Sequence, residues 1–230
     1  MKNPHGLFNA NMLKIIALVS MTIDHMGYIL FQNAAWMRYV GRISFPIFAF
    51  LIAEGCHHTK NKFRYFSLIF VLAGICQIAT EIFEVNTKLN ILYTFSFSIL
   101  LIYLLQLAKK NIQQKQAKKA VAFSILFACA TIGTFFLMKY TPIKVDYGFW
   151  GVMVPVFVAM FDKHWLKVVM FAISLVIVSS KLSIIQWFSL ISVLLIWFYN
   201  GEKGRLNMKY LFYVYYPMHL VVLYFIAMAI

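Results

Sequence analysis

The stretch MLKIIALVSMTIDHMGYILF, residues 12–31, decides the fold. A helix needs roughly 20 predominantly apolar residues, rising 1.5 Å each, to cross a hydrocarbon layer of about 30 Å, and this stretch meets that length. It also holds Asp24 and His25, which a cleavable leader with a small-residue exit site would not carry, so it reads as a retained first span. The remainder of the chain repeats the pattern. Of its 230 residues 63% are hydrophobic and only 12% charged, and the mean hydropathy is +0.79. A water-soluble fold of this length cannot hide so much apolar surface. Lipid removes the difficulty, because apolar side chains are at no disadvantage against acyl chains and helices satisfy their own backbone hydrogen bonds.

Apolar runs place spans at about 12–31, 37–56, 63–83, 89–108, 117–138, 147–162, 165–180, 182–199 and 209–229. The expected architecture is an all-α polytopic transmembrane bundle of about nine spans, with eight to ten as the range, in which residues 1–230 form one domain. The runs at 147–162 and 165–180 are short, and a re-entrant hairpin there is the alternative. The formal charge of +14 is not a nucleic-acid signature, because it sorts by loop. One set of alternate loops holds Lys2, Lys14, Lys60, Lys62, Arg64, the polar run Lys109 to Lys119, Lys163, Lys167, Lys203, Arg205 and Lys209, which is 15 of the 21 basic residues. The other holds Arg38, Arg42, Lys88, Lys139, Lys144 and Lys181. The positive-inside rule puts the richer set in the cytoplasm, with the N-terminus in and the C-terminus out. The polar run reads as a solvated cytoplasmic loop beside anionic headgroups. Cys56, Cys76 and Cys129 lie in or beside apolar stretches without paired spacing, so neither a disulfide framework nor a metal site is expected.

Ionisable residues inside the membrane are costly, which makes function their default reading. Asp24 and His25 lie about two-thirds along the first span. Arg42 sits at a similar depth in the second, able to neutralise Asp24 either at a reacting centre or as a plain fastener between helices. Pro46 removes an amide donor and is expected to kink that span. Glu54, His57, His58, Lys60, Lys62 and Arg64 gather at its cytoplasmic end, as a topology signal or as a grip for an anionic cofactor. Glu81, Asn90, Asp146 and Tyr147 recur near the outer ends of later spans. The last span carries Tyr216 and His219, and Asn90 reads equally as a helix cap.

Taken in order, these segments resemble the TraX family of conjugal-transfer membrane proteins. The resemblance rests on Leu13 to Ala17 with Met21 to His25, Gly41 to Phe50 with Ala53-Glu54-Gly55 and His58-Thr59, Leu89 to Thr94, Asp146 to Gly151, Asn200-Gly201 and Phe212 to Leu220. It implies acetyl transfer from acetyl-CoA to the N-terminal amine of a pilin-like peptide, and a more distant likeness to transmembrane acyltransferases. The charged groups at both depths of the bundle are expected to form its site, with His25 as general base and Asp24 and Arg42 setting the local charge; His219 is the alternative base or a transient acetyl carrier. Glu54, His58, Lys60, Lys62 and Arg64 would receive acetyl-CoA, and Asn90, Asp146, Tyr147 and Tyr216 would meet the acceptor or the oxyanion. Expected partners are acetyl-CoA, membrane lipid and an exported peptide or envelope glycan, with no nucleic acid and no metal, in a bacterial cytoplasmic membrane. Two further readings stay open: a proton-coupled transporter, and a non-enzymatic assembly or immunity factor.

Overall fold

A computed structural model describes residues 6–82, 88–205 and 208–229; Lys2, and Phe83 at the end of the third expected span, lie outside them. Chain order is α1 (Ala10–Ile29), α2 (Ala35–Gly41), α3 (Ser44–His58), α4 (Lys62–Ile82), α5 (Ile91–Gln113), α6 (Ala117–Tyr140), α7 (Gly148–Ala159), α8 (His164–Lys181), a 3-10 segment (Ile184–Leu190), α9 (Ile191–Trp197) and α10 (Lys209–Ala229). The described residues form no strands, only isolated bridges that tie Phe8 to Tyr199 and Leu89 to Val145. Six helical stretches are long and apolar enough to cross a membrane, and Gly148–Ala159, Ile184–Trp197 and Tyr213–Ala229 are shorter apolar ones. The protein is thus an all-α, multi-pass membrane bundle, and each of the nine expected apolar runs has a helical counterpart.

Two expectations need correction, and one alternative falls away. The second run is not one helix: α2 and α3 are separated at Arg42 and Ile43, whose amides bond to Tyr39 and Val40 in tight i→i−3 turns of 3.3 Å. Pro46 has no amide hydrogen to offer the Arg42 carbonyl, so the chain tightens there and the kink falls beside Arg42. The polar run 109–119 is mostly helix. α5 continues to Gln113 because Lys, Gln and Asn tolerate an exposed helix end. It stops where Lys115 turns left-handed (φ 54°), with the Gln116 amide closing onto the Asn111 carbonyl at 3.0 Å.

The re-entrant alternative for 147–162 also fails. Thr94 donates to the Asp146 carbonyl (2.7 Å), Ser98 to that of Val152 (2.8 Å) and Lys109 to that of Met160 (3.3 Å). α7 therefore runs parallel to α5 from one end of the bundle to the other. The fifteen steps from Thr94 to Lys109 climb about 22 Å. α7 is short for a span because protein, not lipid, surrounds it: Val152, Val154, Val156 and Val158 are fully buried.

Packing sets the layers. α3 is the hub, burying most of its length against α1, α5 and α7, with Ile47 and Phe50 wholly enclosed. α6 lies outside, touching α5 and α7 and burying only Ala120 and Met138, as a lipid-facing helix would. α10 packs on α1 and α4. Contacts also define two ends. At one, Ala10 donates to the Glu202 carbonyl, Lys167 meets Glu54, and Lys109 meets Asp162. At the other, Leu89 and Asp146 exchange backbone bonds with each other's loops, and Tyr39 stacks on Phe188. The first end gathers the richer basic set.

Candidate active site

A cavity of about 570 Å³ lies between α1, α3, α4, α5 and α10. Lys14, Gly55, Tyr65 and Tyr213 line it toward the basic end, and Asp24, Arg42, Lys88 and Asp146 toward the other. Lys14 and His25 are eleven residues apart on α1, which corresponds to about 16 Å along the axis. The walls between, including Phe48, Leu51, Ile69 and Leu72, are apolar, so one void joins an apolar slot to a charged pole.

Asp24 anchors the charged pole. Arg42 Nη2 donates to both its carboxylate oxygens, at 2.8 and 2.9 Å, and Arg38 Nη1 reaches Oδ2 at 2.9 Å and the Asp24 backbone carbonyl at 3.1 Å. The helix break at Arg42 is what turns its guanidinium to α1. Gly41 makes the approach possible, since a Cβ there would overlap the Asp24 carboxylate. Arg38, Arg42 and Lys88 against Asp24 and Asp146 leave the pole with one net positive charge.

His25 and His219 are brought together from α1 and α10: His219 Nε2 lies 3.0 Å from His25 Nδ1. His219 Nδ1 is 3.0 Å from the Tyr215 carbonyl, which can only accept, so this nitrogen carries the proton. In the neutral ring Nε2 then accepts from His25 Nδ1–H. His25 Nε2 is left with a free lone pair, and His25 lines the cavity. Tyr215 stacks on His219 with centroids 5.5 Å apart, its hydroxyl 2.6 Å from that of Thr22, and Tyr216 meets His219 edge-on. The His219 ring is thereby held by Tyr215 on one side and Tyr216 on another.

Tyr147 adopts a left-handed backbone (φ 60°) at the start of α7 and stacks on Phe45 with centroids 3.8 Å apart. A non-glycine residue in that conformation carries strain that the surrounding contacts must hold. It lines the charged pole with Asp146, and Tyr216 lines the same cavity. Asn90 also lines it but is committed: Oδ1 caps α5 by accepting from Leu92 N (3.0 Å), while Nδ2 donates to the Ala73 carbonyl (2.8 Å) and Gln77 Oε1 (3.2 Å).

The expected cofactor cluster does not join this cavity. Glu54 points to the opposite side of α3, where Lys167 Nζ meets it at 2.5 Å and His58 stands 3.6 Å away. Glu54 and Lys62 line a separate cavity of about 270 Å³, while Lys60 and Arg64 are exposed and line neither. Sequence reasoning missed Arg38, Lys14 and Lys167 as cavity or partner residues. Arg38 was within reach, because it precedes Arg42 by one helical turn and so shares its face. Lys167 was not, since its partner Glu54 is distant in sequence.

Fold and site define a class: a polytopic helical membrane protein with a charged and histidine-bearing pole buried in its bundle. The chain belongs to the TraX protein family, whose model matches residues 9–227. It is similar to a probable fimbrial assembly protein, FimC of serogroup H1, from Dichelobacter nodosus, with 23% identity over 248 residues covering 94% of each chain. It is also similar to an uncharacterised protein of Rickettsia prowazekii (strain Madrid E), 35% identical over 94 residues, covering 40% of this chain and 36% of that one. No solved structure matches it.

Proposed function

We propose that the protein is a membrane-embedded acetyltransferase of the bacterial cytoplasmic membrane, moving an acetyl group from cytoplasmic acetyl-CoA to an amine or hydroxyl of an exported acceptor. The acceptor class is a pilin-like peptide N-terminus or an envelope glycan. The observation that carries the reading is the His25–His219 pair, whose one free lone pair belongs to the cavity-lining His25. The positive-inside rule makes the Lys14 end cytoplasmic and the Asp24 end the side from which an acceptor arrives.

On this reading His25 Nε2 removes the proton as the acceptor nitrogen or oxygen bonds to the thioester carbonyl carbon. His219 spreads the resulting charge, since its Nε2 can take up the shared proton while Nδ1–H stays on the Tyr215 carbonyl. The Tyr147 hydroxyl is the donor available to the carbonyl oxygen as it gains charge, because both Asn90 amide protons are engaged elsewhere. Arg38, Arg42 and Lys88, only partly neutralised by Asp24 and Asp146, favour that negative charge. When the carbon–sulfur bond breaks, His25 returns its proton to the leaving thiolate. Acetyl-CoA would place its narrow arm in the apolar slot, with Lys14 at the cytoplasmic mouth near Lys203.

Radiolabelled acetyl-CoA supplied to purified protein with lipid-embedded peptide and glycan acceptors tests the reading. His25→Ala is expected to lower transfer by about 10²-fold to 10⁴-fold, His219→Leu by less, and His219→Gln to recover part of that loss. Equal label from wild type and His25→Ala across the panel would sink it. One observation favours a second reading: Asp24 is gripped by two arginines, as a helix fastener would be, and a non-enzymatic assembly factor would need no more.

A further inference from the structure

The cavity on the far side of α3 has its own chemistry. It measures about 270 Å³, sits at the basic end, and shares no lining residue with the central cavity: Gly55 faces one, Glu54 and Cys56 the other. Four lysines converge on it from three helices, Lys62 of α4, Lys109 and Lys110 of α5, and Lys167 of α8, against two carboxylates, Glu54 and Asp162. Each carboxylate is already held by one lysine, Glu54 by Lys167 at 2.5 Å and Asp162 by Lys109 at 3.1 Å. Among the described residues no carboxylate lies within ion-pair distance of Lys62 or Lys110, which leaves two ammonium groups facing one void.

Lys62 and the chamber wall are held in place, and the exposed Lys110 faces them from α5. Tyr103 clasps Lys62, its ring 5.0 Å beneath the ammonium and its hydroxyl donating to the Lys62 carbonyl at 3.1 Å. Gln106 is fixed on the wall by a bond to the Cys56 carbonyl at 3.1 Å, and Lys109 also donates to the Met160 carbonyl at 3.3 Å. Two like charges that face one partly enclosed space, with the nearby carboxylates engaged by other lysines, are stabilised by a compact dianion. A neutral ligand would leave that repulsion in place.

We propose that this chamber is a phosphate-binding site, taking a phosphate monoester or diphosphate group between Lys62 and Lys110. It is a second site, separate from the histidine-bearing cavity, and it stands whether or not the acetyl-transfer reading does. Two sources present this chemistry at the cytoplasmic end: a free nucleotide-type phosphate and the headgroup of an anionic lipid.

The test uses the full-length protein in phosphatidylcholine nanodiscs, titrated calorimetrically with pyrophosphate and with adenosine 3′,5′-bisphosphate. Saturable binding is expected, weakened about tenfold by Lys62→Gln or by Lys110→Gln, retained in Lys62→Arg and Lys110→Arg, and unchanged by Lys60→Gln or His25→Ala. A parallel arm replaces part of the lipid with phosphatidylglycerol and counts retained lipid by native mass spectrometry. Lipid retention that excludes both soluble probes and disappears in Lys62→Gln/Lys110→Gln identifies the headgroup as the occupant and supports the site equally. If neither a probe nor phosphatidylglycerol binds in a manner that depends on Lys62 and Lys110, the site does not exist. The arginine variants, which keep charge and fold, prevent a folding defect from imitating that result.

Discussion

Asp24→Asn is the sharpest perturbation of the charged pole, because it removes one charge and almost no volume. In the native protein the carboxylate is shared between Arg42, through two contacts of 2.8 and 2.9 Å, and Arg38, through one of 2.9 Å. Removing one partner of a buried pair costs about 3–5 kcal/mol, since the other charge is left desolvated and unpaired. Here the side chains keep 15% exposure at Asp24, 16% at Arg42 and 31% at Arg38, so part of the penalty is recovered from solvent and about 2–4 kcal/mol is expected. For a chain of this size that corresponds to a fall of roughly 5–15 °C in the unfolding midpoint. Loss of the monodisperse peak on heating, followed by size exclusion in one detergent, measures it. Arg42→Gln alone should cost a similar amount, and the double variant clearly less than the sum, because each single change already breaks the same contact. A shift under about 2 °C for Asp24→Asn, or strict additivity in the cycle, would refute the claim that this triad fastens α1 to α2 and α3.

Gly41→Ala should destabilise by about 1–3 kcal/mol in the same assay, because its methyl would occupy the space of the Asp24 carboxylate; Gly133→Ala on lipid-facing α6, where a Cβ meets nothing within 4 Å, should be neutral or slightly stabilising. Asn90→Ala should destabilise by about 2–4 kcal/mol through its lost cap and two buried bonds, whereas a fall in transfer at unchanged stability would restore an oxyanion role to it. Cysteine placed as Lys115→Cys, in a background lacking the three native cysteines, should react with a membrane-impermeant maleimide only after permeabilisation. Lys144→Cys should react in intact cells, and the reverse pattern would invert the orientation.

The site was legible in unequal parts. Asp24, His25, Arg42 and His219 stand out from sequence because ionisable groups in apolar runs are rare, and the structure brings all four to one pole. Asn90, a polar residue at the start of a span, was legible as either a cap or a ligand contact, and the structure makes it the cap of α5. The cytoplasmic group was legible as a cluster but not as a surface. Adjacent helical positions diverge by about 100°, so Glu54 and Gly55 face different cavities, and Lys60 and Arg64 face neither.

Sequence by itself determined that the chain is a membrane bundle, where its apolar segments lie and how its basic residues alternate between loops. Those properties are local: each depends on a window about one span long and on the cost of charge in lipid. Tertiary structure alone decided which histidine keeps a free lone pair, because that follows from the Tyr215 carbonyl, the partner ring and the cavity wall meeting at α1 and α10. It decided as well that Arg38 shares Asp24, that Lys167 neutralises Glu54, and that α7 runs the depth of the bundle. Each of these depends on groups that are far apart in the chain and meet only when the helices pack.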